Sequence, residues 1–190
     1  MKLSQRSLWW TVVGASTVGL VASLVQAIER IQFADDPVTK LTCDLNAVFS
    51  CSNVFEAWQS SLFGFSNSLV SLTFFAVMVG VGLAAASGSS LNRRLRYIFH
   101  FFSAFFLVFG AWYLWQSTYV IGYLCIFCLF NYAGVIVLNW AWFRLQYTEL
   151  QLKKSARRKL DRFVEAGGDI MVAISLTLII TAMMVTHFWV

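Results

Sequence analysis

The residues of this chain best suited to chemistry are four cysteines in two pairs, Cys43-x7-Cys51 and Cys125-Ile126-Phe127-Cys128. Two thiol pairs can pass electrons by disulfide exchange, lock a fold as structural disulfides, or hold a metal. In a CxxC at a helix start the sulfurs lie three residues apart, on one face and close enough to bond. The positive end of the helix dipole favours a thiolate there. Tyr132 follows Cys128 by four residues, so Cys125, Cys128 and Tyr132 share one helical stripe. The bland alternatives fit less well. A CxxC disulfide is a weak staple, because its short loop removes little unfolded-state entropy. Four cysteines match the ligand number of a structural zinc site, but a C-x7-C pair in an oxidising compartment is unusual for zinc. Covalent haem attachment through CxxCH is excluded because Leu129 follows Cys128. Electron transfer without a metal is therefore the expectation, provided both pairs lie on one side of whatever holds them.

What holds them is a membrane. Of 190 residues 59% are hydrophobic and only 12% charged, too apolar for an ordinary soluble domain. Five stretches have the length and composition of spanning helices: Leu8–Ala27, Leu69–Ala86, Tyr97–Trp115, Gly122–Trp142 and Ile170–Trp189. None contains Asp, Glu, Lys or Arg, as the cost of a charge in lipid requires. The expected class is an all-α membrane protein: a four-helix transmembrane bundle plus a fifth helix, in one membrane domain over residues 1–190 without internal repeats.

Basic residues set the orientation. Lys2 and Arg6 precede the first span, Arg93, Arg94 and Arg96 join the second to the third, and a loop from Arg144 to Arg162 joins the fourth to the fifth. Only Arg30 and Lys40 remain for the other side. The positive-inside rule then puts the amino terminus in the cytoplasm and the carboxyl terminus outside. The net charge of +5 reflects this topology, and a nucleic-acid partner is not expected. The basic loop suits anionic lipid head groups. The first span has an alternative, a signal peptide cut after Val25-Gln26-Ala27, though its apolar run exceeds the usual signal core. In this topology Ile28–Ser68 is an outside loop, with Asn46–Gln59 able to lie on the membrane as a short amphipathic piece. Gln116–Ile121 is the only other outside link before the fourth span, so all four sulfurs face the oxidising side, where disulfides persist.

The ordered motifs resemble the vitamin K epoxide reductase family, whose bacterial members do the work of DsbB-type thiol oxidases. The resemblance runs from Thr42 to Tyr132. It rests on Cys43-Asp44-Leu45-Asn46-Ala47-Val48-Phe49-Ser50-Cys51-Ser52-Asn53-Val54-Phe55, then Phe65-Ser66-Asn67-Ser68, then Cys125-Ile126-Phe127-Cys128 with Tyr132. It implies a four-helix bundle around a quinone (menaquinone, ubiquinone or vitamin K type), capped by a short helix of the loop. Cys43 is similar to the loop cysteine that a partner thiol attacks. Cys51 would relay to Cys125 through an inter-loop disulfide, and Cys128 would reduce the quinone. Asn67 and Tyr132 match the polar residues that hydrogen-bond the quinone carbonyls, and Phe55 matches an aromatic of the pocket wall.

The resemblance therefore implies a quinone-dependent oxidoreductase that reoxidises a thioredoxin-fold, DsbA-like protein outside the membrane. The vertebrate-type activity on vitamin K quinone or its epoxide uses the same electron direction. The fifth span suggests a bacterial-type member in the cell's inner membrane. Many bacterial relatives continue into a thioredoxin-like domain, whereas this chain stops at Val190, so the partner is expected to be a separate polypeptide. The family commonly has Ser or Thr six residues after the second loop cysteine, where this chain has Ala57. Read without the resemblance, Asn67 is the N-cap of the second span, Asp169 caps the fifth, and Asn131 bonds a neighbouring helix.

Overall fold

The computed structural model describes residues 4–150 and 152–189, so Lys2 and Val190 lie outside the described residues. The chain is an all-α membrane protein with five helices long and apolar enough to span: α1 (Gln5–Asp35), α3 (Asn67–Ala86), α4 (Arg93–Gln116), α5 (Ile126–Gln146) and α7 (Gly168–Phe188). Two shorter helices complete it. Cys51–Glu56 (α2) lies in the loop after α1, and Lys154–Glu165 (α6) precedes α7.

In lipid, exclusion of apolar surface from water does not drive helices together, so close van der Waals packing must. Small residues permit it. Gly19 of α1 faces the ring of Phe75, which is 1% exposed, so closely that a Cβ there would overlap the ring. Gly134 of α5 approaches the Ala15 carbonyl, where a Cβ would sit 3.1 Å from the oxygen. α1 thus packs along both α3 and α5, and α4 completes the bundle against α5. Val12, Phe75, Met78, Leu138 and Trp142 fill the centre, with Trp9 edge-on to Trp142 at 5.3 Å between centroids. Met171, Ile174, Leu178 and Ile179 leave much of α7 exposed, as suits a lipid-facing helix.

The two ends of the bundle differ. At one end the start of α1, the end of α3, the start of α4 and the end of α5 meet, tied by the ion pair Arg96–Glu149 and by Gln146 Nε2 donating to the Arg96 carbonyl at 2.9 Å. At the other end lie the loop after α1 and the link between α4 and α5, with all four cysteines.

Several expected boundaries move. The fourth spanning helix starts at Ile126, not Gly122. α4 runs on through a π-helical turn, Ser117–Ile121, which Gly122 ends with a left-handed φ of 78°. Residues 123–125 are then extended, and Cys125 is the N-cap of α5 instead of lying in its first turn. The expected amphipathic piece over Asn46–Gln59 is broken: helix only at α2, then a 3-10 turn at Trp58–Ser61, with 46–50 non-helical. Asn67 is not a cap, because Ser66 caps α3 by accepting from the Ser68 amide. Asp169 is not the cap of α7 either. Gly167 holds that place, and Asp169 instead pairs with Arg144 and accepts from Trp140 Nε1 at 2.7 Å, locking α7 to α5.

Contact at Gly19 gives a direct test. Adding one methyl by Gly19→Ala should cost about 1–3 kcal/mol through overpacking. Gly14→Ala, with open space at that position, should change stability by no more than about 1 kcal/mol, in the stabilising direction. Thermal unfolding of both variants in lipid nanodiscs checks the contrast.

Candidate redox and ligand site

The sulfur end is organised by a short stretch of backbone pairing. Ser50 N donates to the Leu124 carbonyl at 3.1 Å and Leu124 N to the Val48 carbonyl at 2.8 Å, a parallel bridge between Phe49 and Leu124. The left-handed turn at Gly122 lets the link double back to make it. Local chemistry shapes the loop on its side. Asn46 Oδ1 accepts from the amides of Val48 and Phe49, both at 2.9 Å, and Ser50 caps α2. Asp44 Oδ1 accepts from the Ser52 amide at 3.1 Å and the Ser50 hydroxyl at 2.9 Å.

This pairing brings the sulfurs together. Cys43 and Cys51 form a disulfide, their Cα atoms 5.6 Å apart. Cys125 and Cys128 are thiols. The Cys125 Sγ lies 3.3 Å from the Cys51 Sγ, and both side chains are shielded from solvent. Atoms 3–3.5 Å apart are positioned for reaction, and thiol–disulfide exchange needs just such an approach of a sulfur to a disulfide. Cys51 and Cys125, expected from the resemblance to exchange, are thus brought together. A cluster of Glu29, Cys43 and Cys51 lies within 4.8 Å, but sulfurs bonded to each other are not thiolate ligands in this oxidised state.

Beside Cys128 opens a cavity of about 80 Å³, in a cleft whose empty space is about 720 Å³ with its mouth included. Phe55, Asn67, Tyr113 and Tyr132 form its walls with Cys128 and Gln26, so the expected Phe55, Asn67 and Tyr132 are brought together around one space. The lining is mostly apolar, yet two buried polar atoms face no partner: Tyr132 Oη and Asn67 Oδ1. Asn67 Nδ2 donates to the Gln59 carbonyl at 2.6 Å. That bond fixes the amide, since a flipped group would set oxygen against oxygen. Orphaned buried polar atoms cost about 1–3 kcal/mol each, so this pocket offers two polar atoms that a ligand could pair with. A flat ring bearing oxygens at its edge fits that requirement.

Two residues that sequence reasoning did not single out belong to the site, both from α1. Gln26 Nε2 points to Cys128 Sγ at 3.2 Å and to Cys125 Sγ at 3.6 Å. Its Oε1 faces Asn131 Nδ2 at 3.5 Å, and Asn131 Oδ1 accepts from Ser23 at 3.1 Å, so Asn131 does bond a neighbouring helix. Glu29 is 3% exposed. Its Oε1 accepts from the Thr42 amide at 3.0 Å and from the Thr42 hydroxyl, and its Oε2 lies 2.8 Å from Cys43 Sγ. The one available signal was spacing: Ser23, Gln26 and Glu29 recur every third residue at the end of an apolar span. Near Ala57, which brings no hydroxyl, the loop is held by other bonds. Ser60 Oγ and Arg30 Nη1 both donate to the Phe55 carbonyl, at 2.9 and 2.8 Å, and Arg30 also stacks over the Phe33 and Phe55 rings.

Residues 10–143 match the Vitamin K epoxide reductase family. The chain belongs to that family. No curated protein gives a match. The matched span covers most of α1, the cysteine loop, α3, α4 and nearly all of α5, and so contains every residue of the site just described. Membership in this quinone-associated family makes the chain an oxidoreductase held in a membrane.

The loop's hold on Cys51 has a pH signature. Partial burial raises the Asp44 carboxyl, but hydrogen bonds from the Ser52 hydroxyl and amide, the Ser50 hydroxyl and the Leu41 backbone outweigh it, leaving Asp44 below its ordinary 3.8. A depressed carboxyl stabilises the loop fully above the unfolded value, and that stabilisation fades as pH falls through the folded one. Protection of the Ser52 amide from exchange, relative to its intrinsic rate, should therefore fall in acid below about 3.8 in the wild type. In Asp44→Asn that protection should already be low at neutral pH, with no acid step.

Proposed function

We propose that this protein is a quinone-dependent protein-thiol oxidase, reoxidising a separate thioredoxin-fold protein on the extracytoplasmic side. The observation that carries the reading is the 3.3 Å approach of a Cys125 thiol to a Cys51 sulfur that is already in a disulfide. An oxidised outer pair in contact with a reduced inner pair is one stage of an electron relay, and a purely structural pair of staples needs no such contact.

The sulfur steps follow from position. A partner thiolate attacks Cys43, and Cys51 leaves as a thiolate. Cys51 attacks Cys125 of the oxidised inner pair and frees Cys128. A second partner thiol then releases Cys43, so the partner leaves oxidised with two electrons transferred to this chain. Cys128, in the wall of the pocket, is the exit point, with the Gln26 amide aimed at its sulfur.

A bound quinone would supply an acceptor for two electrons and two protons. The residues present suit it. The Tyr132 hydroxyl is free to donate to a carbonyl oxygen. Asn67 keeps one Nδ2 hydrogen for a carbonyl, while its unpartnered Oδ1 accepts a hydroxyl of the reduced ring. Phe55 and Phe109 provide apolar walls for the ring faces. Asn67 is thereby given a part in both redox states of the ligand, beyond the carbonyl bond that the resemblance implies.

Sidedness comes from the distribution of charge. Arg6, Arg93, Arg94, Arg96 and Arg144 gather at the end of the bundle opposite the sulfurs. By the positive-inside rule this charge supports a cytoplasmic position for that end, with the four sulfurs on the oxidising side of a bacterial inner membrane.

In nanodiscs, with a reduced thioredoxin-fold protein as donor, Cys128→Ser is expected to abolish quinone reduction while the protein still inserts and folds. Normal turnover by that variant would end the proposal. Tyr132→Phe should weaken quinone use about 5- to 10-fold, the worth of one hydrogen bond, and read out mainly in KM for the quinone.

A further inference from the structure

We propose that Glu29 is the proton acceptor and donor for Cys43, and so a catalytic residue of the relay itself; the proposal rests on the thiol-exchange reading above. A carboxylate 3% exposed near the end of a spanning helix needs partners, because an unpaired buried charge is costly. Glu29 has them in an arrangement that divides its two oxygens. Oε1 is held by the Thr42 amide and hydroxyl. Oε2 is left for the Cys43 sulfur at 2.8 Å. In the disulfide that sulfur carries no hydrogen, so the contact is a hydrogen bond only when Cys43 is a thiol. The structure therefore keeps a carboxyl group at the place where a proton can sit on sulfur in one redox state and on oxygen in the other.

The step it serves is the return of the loop disulfide. Cys43, as a thiol, faces the Cys51–Cys125 disulfide left by the forward exchange. Its proton passes to Glu29 Oε2, its sulfur bonds Cys51, and the Cys51–Cys125 bond breaks with the electron pair going to Cys125. The products are the Cys43–Cys51 disulfide, a Cys125 thiolate and protonated Glu29. Charge moves from the carboxylate to the Cys125 sulfur, and no outside oxidant or reductant is used. The Cys43–Cys51 bond and the two inner thiols seen here are the arrangement that follows once Cys125 regains a proton. In the opposite direction, when Cys43 is expelled by a partner, protonated Glu29 returns the proton.

Other titratable or charged groups in the elements around this cluster are Arg30 of α1, Asp44 of the loop, Tyr113 of α4 and Tyr123 of the link, besides the four sulfurs, while Asp35, Asp36, Lys40, Glu56 and Tyr119 of the same elements are exposed to solvent. Arg30 is engaged at the Phe55 carbonyl and Asp44 at Ser50 and Ser52. Glu29 is the carboxylate whose oxygen meets a loop sulfur.

The test uses the full chain in nanodiscs, with dithiothreitol as donor and a water-soluble naphthoquinone as acceptor. Glu29→Gln keeps an oxygen for the Thr42 amide but removes the base. Turnover is expected to fall about 100-fold near neutral pH, the usual worth of a general base. The deficit should shrink as pH rises past the ordinary thiol value of about 8.5, because hydroxide increasingly does the work of the missing base. Glu29→Asp should restore part of the rate. Wild-type rates at every pH, or a loss of the same size at every pH, would overturn the proposal.

A second measurement does not need turnover. The infrared difference between dithiothreitol-reduced and oxidised wild-type protein should contain a carboxyl protonation band that shifts in Glu29→Asp and vanishes in Glu29→Gln. Absence of such a band in the wild type refutes the role for Glu29, even if the variants fail to fold. A wild type that shows the band but reduces no quinone with any thiol would instead refute the oxidase reading and leave the Glu29–Cys43 proton exchange standing.

Discussion

Everything at the sulfur end depends on the two backbone hydrogen bonds that join Val48–Ser50 to Leu124. Disulfide exchange tolerates little positional error, since a displacement of about 1 Å from a reactive approach is enough to cost orders of magnitude in rate. Side chains alternate faces along an extended segment, so a slip of one residue in this pairing would turn Cys51 or Cys125 away from its counterpart. The pairing is protected on both sides. Asp44, Asn46 and Ser50 pin the loop strand, and the left-handed Gly122 with the N-cap position of Cys125 pins the link. The position of the sulfurs is set by backbone, and the side chains around them are left free.

α1 supplies several of those side chains. A spanning helix with buried polar side chains is costly in lipid unless each finds a partner, and α1 carries Ser23, Gln26 and Glu29 on one face. Each is matched. Ser23 meets Ser71 and Asn131, Gln26 meets Asn131 and the inner sulfurs, and Glu29 meets Thr42 and Cys43. The same helix brings Gly19 against Phe75, so its close approach to α3 and α5 also sets how far these polar groups reach. Bundle packing and the sulfur site are linked through a single helix.

Some of this was legible in the residues. The five spans are plain because uninterrupted apolar length without charge has no other common use, and the two cysteine pairs with Tyr132 are plain because their spacing has physical meaning. The start of α5 was not. Residues 118–130 are nearly all apolar, and composition cannot distinguish a π-helical turn, a left-handed glycine and an extended link from continuous helix. The caps at Ser66 and Gly167 were missed for a related reason: Asn67 and Asp169 are good cap residues by type, but each is claimed by a longer-range partner, Gln59 and Arg144. The bonds from Ser60 and Arg30 to the Phe55 carbonyl were not legible either, since they required the folded loop.

By itself the sequence determined the class of molecule and singled out its four sulfurs, because the hydrocarbon length, the cost of buried charge and the chemistry of thiols act on residue type and spacing alone. Only the tertiary structure decided which sulfur touches which, that Gln26 and Glu29 stand beside them, and that Tyr132 and Asn67 turn unpartnered polar atoms into one cavity. Those facts join positions up to about a hundred residues apart. No local pattern encodes such a meeting; the packing of α1 against α3 and α5 and the folding of the loop onto the link create it.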